Sequence, residues 1–287
     1  MEHKENGISR RRLLQQSGLA LAALGLSGTT ALASSSDLKA NAKGNTMNQN
    51  NSSTKPTIVL VHGAFADSSG WSDITNMLFA LDYPVLAVSN PLRGVKTDTD
   101  YIARILKTIK GPVVLVGHSY GGMVINGAAQ GNANVKALVF IAGFAPEPGE
   151  SAADLSGKFP GGTLGPTLAP PVPLGDGTND LYIQPDKYPV QFCDDLSESV
   201  AAFMAVTQRP ATDLALNEKA SGAAAWKTIP SWFVWGELDK NIPTAAHRFM
   251  AERAKAREAI EVKGASHVVF MSHAETVGKL ILRSAGA

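Results

Sequence analysis

Pro112-Val113-Val114-Leu115-Val116-Gly117-His118-Ser119-Tyr120-Gly121-Gly122-Met123 is the stretch that decides how this chain is read. An apolar, β-branched run leads straight into a glycine-flanked serine, and a pattern of helical period follows from about Met123. A run that is apolar on both sides belongs to a parallel sheet with both faces covered. The glycines permit a sharp strand-to-helix turn that holds Ser119 in a strained backbone conformation at the sheet edge, at the positive end of a helix. In that setting Ser119 reads as a nucleophile rather than as an incidental serine in a structural turn.

Working outward, five more short β-rich runs stand as strand candidates: Thr57–His62, Pro84–Val88, Val135–Ala142, Ser231–Trp235 and Ala259–Val262. Between them, Trp71, Ile74, Leu78 and Leu81, and then Ile102, Ile105, Leu106 and Ile109, carry the spacing of amphipathic helices. Pro243–Ala254 and Ala274–Leu282 are further helix candidates. This alternation predicts an α/β fold with a mostly parallel central sheet and helices on both faces. It fails between about 145 and 225, where a Gly/Pro-rich opening gives way to apolar residues such as Phe192, Phe203, Met204 and Val206. That segment is expected to be an inserted cap over the C-terminal sheet edge, where ligands bind in open α/β folds. Its apolar residues imply an apolar acyl or alcohol part in the substrate.

The chain has 287 residues, with 26 Lys+Arg against 25 Asp+Glu and no long basic run. A nucleic-acid partner is therefore not expected, and a small molecule is the better starting point. A single cysteine, Cys193, leaves no intramolecular disulfide and no multi-cysteine metal site; it reads as a buried small hydrophobe. At the N-terminus, Ser9-Arg10-Arg11-Arg12-Leu13-Leu14 resembles a twin-arginine export signal, and a modestly apolar stretch from Leu19 to Leu26 follows it. Ala31-Leu32-Ala33 offers a cleavage site before Ser34. The expected organisation is a signal over 1–33, a polar leader over 34–54 and a folded domain over 55–287, the mature protein being periplasmic or secreted. The apolar stretch is too short for a stable membrane anchor.

A serine hydroxyl needs a base to take its proton and a third group to orient that base. Where the serine stands in such a strand–turn–helix elbow, the acid and then the histidine follow it in sequence. His267, in the loop Gly264-Ala265-Ser266-His267 after the last strand, is the candidate base. His247, inside a helical pattern beside Arg248, and His273, near a helix start, are expected to be solvated. Asp239, in the loop after Ser231–Trp235, is the candidate acid, with Glu237 as its rival. The oxyanion hole calls for backbone N–H groups from Tyr120, after the nucleophile, and from the loop after the first strand, through Ala64. His62, which opens that loop, reads as structural. No metal or cofactor is required by this chemistry.

Taken together, His62-Gly63-Ala64 with Trp71, the Gly117–Gly122 elbow, Phe144-Ala145-Pro146-Glu147-Pro148-Gly149 and the Gly264–His267 loop resemble the plant methyl esterase and hydroxynitrile lyase branch of the α/β-hydrolases and its bacterial esterase relatives. The resemblance runs from about Lys55 to the C-terminus and is weakest in the cap. It implies the α/β-hydrolase fold and an esterase acting on small or aromatic carboxylic esters with the triad Ser119, Asp239 and His267. The lyases of that branch add a threonine in the early oxyanion loop and a lysine after the histidine; this chain has Gly63 and Val268 there, which disfavours a lyase. Relatives that are dehalogenases or epoxide hydrolases carry aspartate at the elbow, unlike Ser119. Lactone hydrolysis and acyl transfer would use the same groups, and a ligand-binding role would rest on the cap.

Overall fold

The computed structural model describes residues 55–286. The expected export signal and leader lie outside them. Six strands form the central sheet: β1 (Thr57–Val61), β2 (Val85–Val88), β3 (Val113–His118), β4 (Val135–Ile141), β8 (Ser231–Gly236) and β9 (Glu258–Val262). Three short strands intervene, β5 (Val172–Pro173), β6 (Asn179–Leu181) and β7 (Ala211–Thr212). The sheet order is β2-β1-β3-β4-β8-β9, and every neighbouring pair is parallel. β3 lies in the middle and all its residues are buried, as its two-sided apolar character requires. It extends through Gly117 to His118, past the expected end at Val116, because the ladder with β4 continues to the His118–Ile141 pair.

The helices are α1 (Ser72–Ala80), α2 (Val95–Thr108), α3 (Gly121–Ala128), α4 (Ala152–Gly157), α5 (Tyr188–Phe192), α6 (Glu198–Thr207), α7 (Asp213–Asn217), α8 (Thr244–Arg253), α9 (Val269–Ser272) and α10 (Ala274–Ala285). α3 and α10 both pack on β3 and β4, from opposite faces, with α2 beside α3 and α1 beside α10. Parallel strands joined by helical crossovers bring the loops after β1, β3, β8 and β9 to one edge of the sheet. Four separate stretches of sequence therefore meet there.

The stretch from 145 to 225 holds α4 to α7 and the small antiparallel sheet β5-β6-β7. Only part of its expected apolar lining faces inward. Phe192 is buried, whereas Phe203 and Val206 on α6 are 63% and 74% exposed and Met204 is half-buried.

Candidate active site

Ser119 has φ +53°, in the left-handed region that residues with a side chain rarely adopt. The surroundings over-determine it. Its N–H donates to the Ile141 carbonyl (3.1 Å), and its carbonyl accepts from Gly122 N (2.9 Å) and Phe144 N (3.1 Å). The glycines answer to backbone proximity: a Cβ on Gly121 would stand 2.5 Å from the Val61 carbonyl oxygen, and one on Gly122 would overlap the Phe144 carbonyl. On the other side, a Cβ on Gly63 would stand 2.6 Å from Ser119 Cβ. Strain of this kind costs of order 1–3 kcal/mol and persists because packing fixes it.

Asp239 sits in the loop after β8 and is fully enclosed. Its Oδ1 accepts the backbone N–H of Asn241 (2.8 Å) and Ile242 (3.0 Å), and its Oδ2 accepts from His267 Nδ1 at 2.7 Å. Burial alone would raise this carboxyl, but the adjacent His267 and hydrogen bonds from His247 and His267 hold it well below the usual carboxylate range. An ionised carboxylate only accepts, so the proton of neutral His267 is on Nδ1 and Nε2 carries the lone pair. That Nε2 is buried and has no hydrogen-bond partner among the described residues, while His267 and Ser119 line one cavity. The hydrogen bond between Ser119 and His267 is thus not closed in this structure, a common condition in enzymes without substrate.

His118 and Phe192 hold the His267 ring. His118 Nε2 donates to the His267 carbonyl at 3.1 Å, its ring centroid lies 4.8 Å from that of His267, and Phe192 meets His267 edge-on at 4.9 Å. Burial first, and then the neighbouring His267, keep His118 neutral by pushing its pKa well down. His62 is structural, as expected: Asn90 N–H donates to its Nε2 (2.9 Å), which places the proton on Nδ1, donated to the Gly63 carbonyl (2.9 Å). Burial lowers its pKa to about 4.

The expectation for His247 fails. It is not solvated but 1% exposed, stacked on Trp235, and its Nε2 lies 3.1 Å from Asp239 Oδ2, the same oxygen that serves His267. No pattern in the sequence announces this contact except its place on the helix that follows the acid's loop. Glu237, the rival acid, turns away: it is exposed, and its Oε2 accepts the Gly264 N–H at 2.9 Å. His273 is half-buried beside Ser272. Cys193 is buried, and burial pushes its thiol up to about 12.

The loop after β1 brings Ala64 and Phe65 to the cavity beside Ser119 and Tyr120. Among the described residues, neither Ala64 N–H nor Tyr120 N–H has an acceptor, whereas Phe65 N–H is taken by the Arg209 carbonyl (3.1 Å). Tyr120 is anchored away from the cavity, its hydroxyl donating to buried Asp98 at 2.9 Å. The cavity measures about 250 Å³, and among the described residues no Lys, Arg, Asp or Glu lines it. Its other polar side chains are already engaged: Ser156 Oγ donates to the Asn241 carbonyl, and the Asn241 amide pairs with Gln191. What faces a ligand is apolar apart from Ser119, His267 and the two N–H groups.

Known proteins give the same outline. The model of the alpha/beta hydrolase family matches residues 58–279. An alpha-hydroxynitrile lyase of Arabidopsis thaliana is 27% identical over 76% of this chain and 92% of its own length. Among solved structures, polyneuridine aldehyde esterase superposes with a TM-score of 0.68 at 20% identity, over 80% of this chain and 98% of the other. A pyrethroid hydrolase from Sphingobium faniae superposes at 0.65, also with 20% identity, over 81% and 98%.

Proposed function

Because this chain belongs to the alpha/beta hydrolase family, we propose that it is a serine esterase that cleaves small, uncharged, mainly apolar or aromatic carboxylic esters through an acyl-enzyme. The observation that carries this reading is the His267 Nδ1–Asp239 Oδ2 bond at 2.7 Å, with His267 Nε2 unpartnered in a cavity shared with Ser119. As Ser119 Oγ attacks the ester carbonyl, its proton passes to His267 Nε2, and Asp239 stabilises the imidazolium. The oxyanion is received by the N–H groups of Ala64 and Tyr120. His267 then gives the proton to the leaving alkoxide, the alcohol departs, and water repeats the sequence to release the acid. The absence of charged residues from the cavity lining among the described residues supports uncharged substrates, because a charge buried against that lining would go unpaired.

Lyase chemistry on the same triad is disfavoured by two positions. A side chain at Gly63 would collide with Ser119, and Val268, after the histidine, is fully buried and apolar and so supplies no cation to a leaving anion. Export by the twin-arginine route belongs to the same proposal and is supported by Arg10-Arg11 and the modest apolar stretch behind them. Replacing both arginines with lysine should leave the precursor in the cytoplasm; normal export of that variant would refute it.

The esterase reading is tested on aryl methyl esters, p-nitrophenyl esters and lactones. Ser119→Ala and His267→Ala should each lower kcat by roughly 10³-fold or more, because the triad acts as a unit. A serine-directed phosphonate should label the wild type and spare Ser119→Ala. Near-normal hydrolysis by folded Ser119→Ala would end the reading.

A further inference from the structure

We propose that His247 is a second positioning histidine of the triad, its Nε2–H fixing the Asp239 carboxylate in the orientation that His267 requires and moderating how strongly that carboxylate holds the His267 proton. The inference rests on the reading of Ser119, His267 and Asp239 as a triad. The geometry is a matter of counting acceptors. A carboxylate offers about four acceptor positions, two on each oxygen. Asn241 and Ile242 N–H occupy Oδ1, and His267 at 2.7 Å and His247 at 3.1 Å occupy Oδ2. With His247 in place the carboxylate has no vacant position and no reason to rotate; without it, the oxygen that orients His267 has a lone pair to satisfy elsewhere.

His247 is built to hold that position. α8 carries it, its ring lies 5.6 Å from Trp235 of β8 with 17° between the planes, and its side chain is 1% exposed. The groups that face it are Asp239 from the loop before α8, His267 from the loop after β9, and Glu261 of β9, which Arg248 holds in an ion pair at the surface. Burial lowers the pKa of His247 against the opposing hydrogen bond to Asp239, so it stays a neutral donor where an esterase works. Sharing Oδ2 between two donors has a cost in basicity: the negative charge available to imidazolium His267 is partly engaged by His247.

Two substitutions separate this role from packing. His247→Phe keeps the stack on Trp235 without a donor, and His247→Gln keeps a donor near the Nε2 position. His247→Phe should lower kcat about tenfold with KM within about twofold, and should move the acid limb of kcat/KM upward by about half a pH unit, since a carboxylate relieved of one donor holds the His267 proton more firmly. His247→Gln should restore both. Should the phenylalanine variant not fold, His247→Met removes the donor with less bulk and is read the same way. Nitrogen-15 NMR of the resting protein gives a measure independent of turnover: His247 should be the neutral Nε2–H tautomer, and the His267 titration should move up in the donor-free variant. Equal losses in the glutamine and donor-free variants, an unmoved His267 titration, or a His247 protonated on Nδ1 would each overturn the proposal. The NMR result stands whether or not Ser119→Ala abolishes hydrolysis, so a failure of the esterase reading is told apart from a failure here.

Discussion

A methyl group added at Gly63 would lie 2.6 Å from Ser119 Cβ and 2.8 Å from the His118 carbonyl oxygen, so neither neighbour can yield without moving the elbow. Gly63→Ala should therefore destabilise by about 1–3 kcal/mol, as overpacking does, and reduce kcat as well. Thermal melting and ester hydrolysis measured together check this; a folded variant with unchanged kcat would show that the elbow gives way more easily than its packing implies. The sequence marks Gly63 as a departure from the lyases but not the reason, since the collision is with a residue far along the chain. Ser119, Asp239 and His267 were legible because each follows a recognisable strand; the structure brings Ser119 and His267 to one cavity, with Asp239 enclosed and bonded to His267 Nδ1. His247 was misread from its neighbour. Arg248 does point to solvent, but successive helical residues are about 100° apart, and the exposure of one says nothing of the next.

At the scale of elements, the six strands of the central sheet were legible to within two residues, because the four inner strands are short, buried, mainly apolar runs and every strand is closed by glycine, proline or a polar turn, although the edge strands β2 and β9 are only partly buried. The inserted segment was not. Its strands have two or three residues, too few for any period, and the apolar side chains of α6 turn outward where a buried face was expected. Phe203 and Met204 instead line a second cavity of about 170 Å³, and Phe65, in the loop after β1, lines both that cavity and the one holding Ser119. Phe65 is pinned there at φ +59°, its carbonyl accepting from Tyr188 Oη at 2.7 Å, with its ring edge against Phe192. Phe65→Ala should join the two spaces and move the preferred chain length of p-nitrophenyl esters upward. An unmoved optimum in that series would mean that the outer cavity does not communicate with the site.

Across the whole molecule, His62, His118 and His247 are all buried, and all have lowered pKa values with burial as the largest cause. Below the ordinary value of 6.5 the unfolded chain takes up protons that the folded one refuses, so stability is complete above that pH and is lost progressively as pH falls toward 4. His62 alone, lowered to about 4, accounts for roughly 3 kcal/mol at about 1.4 kcal/mol per pH unit. The urea midpoint should fall markedly between pH 7.5 and 5; a constant midpoint would show that these rings are hydrated before unfolding. Composition gave no hint of this sensitivity, since it comes from where the histidines are buried rather than from how many there are. The stack of Trp235 on His247 makes part of the same process visible. An imidazole quenches indole emission when it takes a proton; among the described residues Trp71 is the other tryptophan in contact with a histidine, and it meets His118 edge-on. The protein thus carries an intrinsic fluorescent gauge beside its acid: the share of the dimming on acidification that arises at the Trp235–His247 stack should be lost in His247→Gln.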